Sequence, residues 1–197
     1  LTLQEIIDII KLQMESEKMR HLIKKPIVLI GMMGSGKSTI GRRLAGKLNL
    51  QCYDSDKIIE DREGLSVMDI FEFRGESYFK AREEEVITEI LNYGAVVLST
   101  GGESFLNDAV RNKIMNQAIS VWLKTDVDTL FNRVSRRNTR PQFQEGDKRE
   151  FIEQMIERSY PYLENADIVV ESKDMEAHFV VDTLMSKLKQ YLEQHYR

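Results

Sequence analysis

Gly31-Met32-Met33-Gly34-Ser35-Gly36-Lys37-Ser38-Thr39 decides the fold of this chain. The stretch fits the pattern G-x-x-x-x-G-K-[ST]. It lies between an apolar run, Pro26-Ile27-Val28-Leu29-Ile30, and a helix-like run from Thr39 to Leu48. Glycines let the backbone curl so that successive N–H groups point at one phosphate, and the following helix adds the positive end of its dipole. In that arrangement Lys37 reaches the β- and γ-phosphates, and the Ser38 hydroxyl binds Mg²⁺. With glycine at roughly 7% of residues on average, such a pattern arises by chance in about 1% of chains this long, so a plain Gly-rich turn is the weaker reading. The stretch predicts a nucleotide-binding loop between a buried strand and a helix.

The alternation continues on the C-terminal side. Leu50-Gln51-Cys52-Tyr53 reads as a short strand that delivers Asp54 and Asp56 at its end. Ser66 is placed to cap a helix through Val67, Ile70 and Phe71, with Asp69 at the capping-box position. Gly75 stops that helix, and a longer one follows from about Ser77 to Leu91. Ala95-Val96-Val97-Leu98-Ser99 is a further buried strand and ends in Thr100-Gly101-Gly102. A helix near 107–117 leads to strand Ile119-Ser120-Val121-Trp122-Leu123, and Asp126 caps a helix over 127–135. A polar, basic stretch with Arg136, Arg137, Arg140 and Pro141 precedes a helix from about 149 to 159. Strand Ala166-Asp167-Ile168-Val169-Val170 and a helix over 175–194 complete the chain. Apolar strands alternating with helices predict a three-layer α/β/α domain around a five-stranded parallel sheet. Ligands of such sheets gather beyond the strand C-terminal ends, where the loop, Asp54, Asp56 and Thr100-Gly101-Gly102 all fall.

Residues 3–23 form an additional amphipathic helix, with Leu3, Ile6, Ile7, Ile10 and Met14 at helical spacing. Packing of that stripe on the body is expected, ahead of an oligomer contact or membrane association. The 197 residues suit one domain, divided as an N-terminal helical extension over 1–24 and a nucleotide-binding domain over 25–197. A formal net charge of -4 gives no support to a nucleic-acid partner. No run approaches the roughly 20 apolar residues of a membrane span, and Glu5, Asp8 and Lys11 interrupt any signal-peptide segment. A single cysteine, Cys52, forms no internal disulfide, which agrees with a reducing cytoplasm. Its position on a strand predicts a buried, inert thiol.

Asp54-Ser55-Asp56 places two acids two residues apart. In extended chain they project to one side roughly 6–7 Å apart, so that one approaches a metal and the other an acceptor. Taken alone, the triplet reads equally well as a solvated acidic turn.

A wider set of motifs sharpens the reading: GMMGSGKSTIGRRLA at 31–45, YDSD at 53–56, FKAREEEVI at 79–87, STGG at 99–102, RP at 140–141 and RSYPYLENAD at 158–167. Together they resemble the shikimate kinases, small P-loop enzymes of the nucleoside-monophosphate-kinase type, over roughly residues 26–195. The resemblance implies ATP-dependent phosphorylation of the 3-hydroxyl of shikimate, with Mg²⁺, in the cytoplasm; a monomer is expected, with the N-terminal helix, which lies outside the resemblance, as a candidate oligomer contact. It implies a substrate-binding segment at about 54–92 and a mobile lid at about 136–147. It assigns Gly34, Ser35, Gly36, Lys37, Ser38, Thr39, Arg133 and Arg140 to ATP, with Arg133 against the adenine. Ser38 and, through water, Asp54 hold the metal. Asp56 holds the attacking hydroxyl, Gly101 and Gly102 present N–H groups, Phe71 packs on the ring, and Lys80 and Arg158 face the carboxylate. Lys37, Asp56 and Arg140 are the catalytic set.

Two positions depart from the family pattern, both on the acceptor side. Lys80 stands where the family carries arginine, and an ammonium lacks the planar two-point contact of a guanidinium. Glu83 shares its helical face and is placed to pair with it. Glu103 replaces the third glycine of a Gly-Gly-Gly run, at a steric cost if that position needs a positive φ. Two alternatives stay open: a related kinase for another small polyol or hydroxy acid such as gluconate, and a noncatalytic nucleotide-binding relative.

Overall fold

The computed structural model describes residues 2–135, 148–173 and 175–196. The expected lid at about 136–147, with Arg136, Arg137, Arg140 and Pro141, lies outside the described residues. In chain order the elements are α1 (Leu3–Leu22), β1 (Ile27–Ile30), α2 (Lys37–Leu48), β2 (Gln51–Asp54), α3 (Ser55–Glu63), α4 (Val67–Arg74), α5 (Glu76–Ile90), β3 (Val96–Ser99), α6 (Asp108–Gln117), β4 (Ile119–Lys124), α7 (Val127–Ser135), α8 (Lys148–Leu163), β5 (Ile168–Glu171) and α9 (Ala177–His195), with a 3-10 turn at Ser104–Leu106.

The strands form one parallel sheet in the order β2-β3-β1-β4-β5. β1 lies at the centre, with Val28 opposite Leu98 of β3 on one side and Ser120 of β4 on the other. All four residues of β1 are buried, as expected for a strand covered on both faces. Its side chains alternate between two cores. Ile27 and Leu29 pack with Leu44, Leu48, Val181, Leu184 and Leu188 of α2 and α9. Val28 and Ile30 pack with Ile59, Ile70, Phe79, Val86 and Ile87 of α3, α4 and α5. The chain leaves β1 at the point where the strand order reverses, so the phosphate loop opens at the switch point of the sheet.

Caps set the helix boundaries. Ser66 and Asp69 form the expected capping box of α4, and Asp126 accepts from the Thr129 N–H at 2.8 Å at the start of α7. Gly75, at φ 85°, separates α4 from α5. Burial in the sheet region and the nearby Asp54 carboxylate push the Cys52 thiol up, which keeps it protonated and unreactive.

Three expectations need correction. Asp54 and Asp56 are not on one extended segment: Asp54 ends β2 and caps α3, accepting from the Lys57 N–H, while Asp56 is already in the first turn of α3. Helix α8 continues to Leu163 past Pro161, rather than stopping near 159. The stripe on α1 does not pack on the body: Leu3 is 75% exposed and Met14 65%, with Ile6, Ile7 and Ile10 also exposed. The helix is held at its other end and on its other side by buried Met19 and Ile23, by an ion pair from Lys189 to Glu15 and by the Ser16 hydroxyl on the Lys47 carbonyl. At about 100° per residue, Met19 and the stripe centred on Leu3, Ile10 and Met14 lie on opposite faces.

Candidate active site

The loop after β1 takes the conformation its glycines permit. Gly34 and Gly36 have φ of 83° and 98°, a region open to glycine and strained for other residues. A methyl on Gly34 would come within 2.9 Å of a Val134 methyl, so no side chain fits there. Gly36 ends the loop at the N-terminus of α2, where the N–H groups of Thr39 and Ile40 turn back to its carbonyl. Lys37 is buried, and its Nζ donates to the Gly31 and Met32 carbonyls at 2.7 and 2.9 Å. The ammonium is thereby held against the start of the loop.

A cleft of about 670 Å³ opens over this loop. Gly34, Gly36, Lys37, Ser38 and Thr39 line it together with Asp54, Asp56, Gly102 and Arg133. The two acids thus reach one cavity although a strand–helix junction separates them. Ser38 and Asp54 supply oxygen donors suited to a hard cation that keeps water and phosphate ligands. Met175, Ala177 and Val180 give the cleft an apolar end beside Arg133. Arg133 is held by its edge: its guanidinium N–H groups bond to the carbonyls of Gly34, Ser35 and Lys173 and to the Ser172 hydroxyl, bonds that lie in its plane.

Gly101 and Gly102 are fixed by close approach rather than by φ. The Gly101 N–H, expected to face the acceptor, instead donates to Ser55 Oγ at 3.1 Å. A methyl there would overlap the Glu83 carboxylate and sit 3.0 Å from Asp56 Oδ1, and one on Gly102 would sit 2.8 Å from the Met33 nitrogen. Asp56 and Glu83 therefore converge on the same glycine. Glu83 is buried, 2.5 Å from the Ser104 hydroxyl. Its place beside Gly101 and Asp56 was not read from the sequence. A signal existed: Glu83 interrupts the otherwise apolar face Phe79, Val86, Ile87 and Ile90 of α5.

Phe71 packs on Phe79 with ring centres 4.9 Å apart, while Lys80 and Arg158 are exposed. Phe71, Lys80, Gly101 and Arg158 stand outside the described lining of the cleft. Lys80 finds a different partner from the one expected, an ion pair to Glu76 at 2.5 Å, one helical turn back. That bond, the Lys80 charge and then the Arg158 charge hold the Glu76 carboxyl below its ordinary range. Glu103 has φ -117°, so glutamate carries no backbone strain at this position.

The family model for shikimate kinase matches residues 33–189. A shikimate kinase of Rhodopseudomonas palustris is 40% identical over 178 residues, covering 90% of this chain and 88% of that protein. Among solved structures, a shikimate kinase of Acinetobacter baumannii in complex with shikimate superposes with a TM-score of 0.82. Its identity is 30%, and the match covers 88% of this chain and 96% of that one. A gluconokinase of Sinorhizobium meliloti reaches a TM-score of 0.59 at 19% identity over 88% and 97% of the two chains. That is a likeness of fold alone.

Proposed function

This chain belongs to the shikimate kinase family, and we propose that its cleft transfers the γ-phosphoryl group of ATP to the 3-hydroxyl of shikimate. The observation that carries this reading is the meeting of Lys37, Ser38, Asp54, Asp56 and Gly102 around one cavity at the switch point of the sheet. Residues 25–197 form the catalytic domain and 1–24 an extension. A single copy is taken as the working unit, with α1 a candidate contact between copies. The lone cysteine suits the reducing cytoplasm where ATP is supplied.

The triphosphate lies along the loop from Gly34 to Thr39, with N–H groups of the loop and of α2 on its oxygens. Ser38 and, through water, Asp54 would hold Mg²⁺, which would supply positive charge to offset that of the phosphates. Asp56 orients the acceptor hydroxyl and takes its proton as the oxygen attacks phosphorus in line, and the bond to the β–γ bridging oxygen breaks as ADP leaves. Lys37, and with it Arg140 as the family resemblance implies, stabilises the charge gathered on the transferring group. Gly101 and Gly102 bring backbone close to the acceptor ring, Phe71 supports the ring, and Lys80 and Arg158 attract its carboxylate. Identifying the product tests the reading. Incubation with ATP, Mg²⁺ and shikimate should give a single phosphate ester at the 3-hydroxyl by phosphorus–proton correlation NMR, and an ester elsewhere would overturn the placement of Asp56.

A further inference from the structure

Ser35 carries a carbonyl that is tied down from outside the loop. Ser172 Oγ donates to it at 2.9 Å and Arg133 Nη1 at 3.3 Å. Arg133 Nη1 also bonds to Ser172 Oγ at 3.3 Å, and Nη2 bonds to the Lys173 carbonyl at 2.9 Å. Ser172 is itself anchored by the sheet. It is 2% exposed and its N–H donates to the Lys124 carbonyl at 2.7 Å, extending the β4–β5 pairing by one residue beyond β5.

A trans peptide is planar, so its C=O and N–H point in opposite directions. Holding the Ser35 carbonyl toward Ser172 and Arg133 therefore fixes the Gly36 N–H in the opposite direction, at a loop residue that lines the cleft together with both of those groups. As a glycine, Gly36 does little to hold this geometry by itself, since glycine restricts the backbone least. We propose that Ser172 is a positioning residue of the nucleotide site: its hydroxyl, with Arg133, fixes the Ser35–Gly36 peptide so that the Gly36 N–H faces the β-phosphate. The inference rests on the reading that a nucleoside triphosphate occupies this loop.

The test compares ADP with AMP, which lacks the β-phosphate, by calorimetry on the full chain. Ser172→Ala should weaken ADP about tenfold, the scale of one hydrogen bond, and leave AMP nearly unchanged. KM for ATP should rise while KM for the acceptor stays the same, and Ser172→Thr, which keeps the hydroxyl, should resemble the parent. If alanine prevents folding, Ser172→Cys reads the same contrast, because a thiol is a weak donor. Parental ADP affinity in Ser172→Ala, or equal losses for ADP and AMP, would overturn the proposal. A parent chain that binds neither nucleotide would instead overturn the reading of the loop on which it rests.

Discussion

Lys80 and Glu76 sit one turn apart on α5, and their ion pair gives Lys80 a carboxylate partner before any substrate arrives. Both groups are about half exposed, so the pair adds little stability. If Lys80 attracts the acceptor carboxylate as proposed, that carboxylate competes with Glu76 for the same ammonium. Glu76→Gln should lower KM for shikimate severalfold and leave KM for ATP unchanged, and a raised shikimate KM would show that Glu76 orients Lys80 instead. The lowered pKa of Glu76 fixes the sign with pH. The carboxylate stays ionised down to pH values below its ordinary range, so the competition is constant through neutral pH and weakens only in acid. Two further substitutions separate nucleotide from acceptor chemistry. Lys37→Ala should cut kcat by about a hundredfold or more with the fold intact by circular dichroism, because its charge acts on the transferring phosphoryl group. Asp56→Asn should reduce kcat by about 10²–10⁴, with ATP affinity largely kept. Loss of ATP binding in Asp56→Asn would exchange its role with that of Asp54. The motif residues were legible because few other chemistries need that spacing. Glu83 was not, since a glutamate within the run Arg82 to Glu85 reads as surface until its burial against Gly101 is seen.

Element by element, the reading held where side chains cap backbone and slipped where they do two jobs. The cap of α4 at Ser66 and that of α7 at Asp126 stand as expected. Helix α3 was missed because Asp54 ends a strand and caps a helix at once, with no turn residues between. Pro161 hid the length of α8, since proline interior to a helix removes a hydrogen bond and usually marks an end. Contact between α2 and the sheet depends on a residue with no side chain: a methyl on Gly41 would lie 2.6 Å from Ser99 Oγ and 3.2 Å from a Leu29 methyl. Ser99 Oγ in turn donates to the Lys37 carbonyl at 3.1 Å, at the first turn of α2. Gly41→Ala should therefore destabilise by about 1–3 kcal/mol in urea unfolding. Adding Ser99→Ala should recover part of the loss, as expected for coupled neighbours. Strictly additive losses would place the strain elsewhere.

At the scale of the whole molecule, the parallel sheet and its order gather Lys37, Ser38, Asp54, Asp56 and Gly102 at the C-terminal ends of the strands. The N-terminal half of α1 stands apart from that arrangement, with its apolar stripe turned away from the body. Helical spacing announced the stripe, but only the docked end, Met19 and Ile23, shows which way it faces. The central claim is that the cleft serves shikimate, despite Lys80 and Glu103. Its most direct test is ADP release by the full chain with ATP and Mg²⁺, measured with shikimate, with gluconate and with no acceptor. The prediction is rapid release with shikimate and only background with the other two. Release driven as well by gluconate, or equally fast with no acceptor at all, would contradict it.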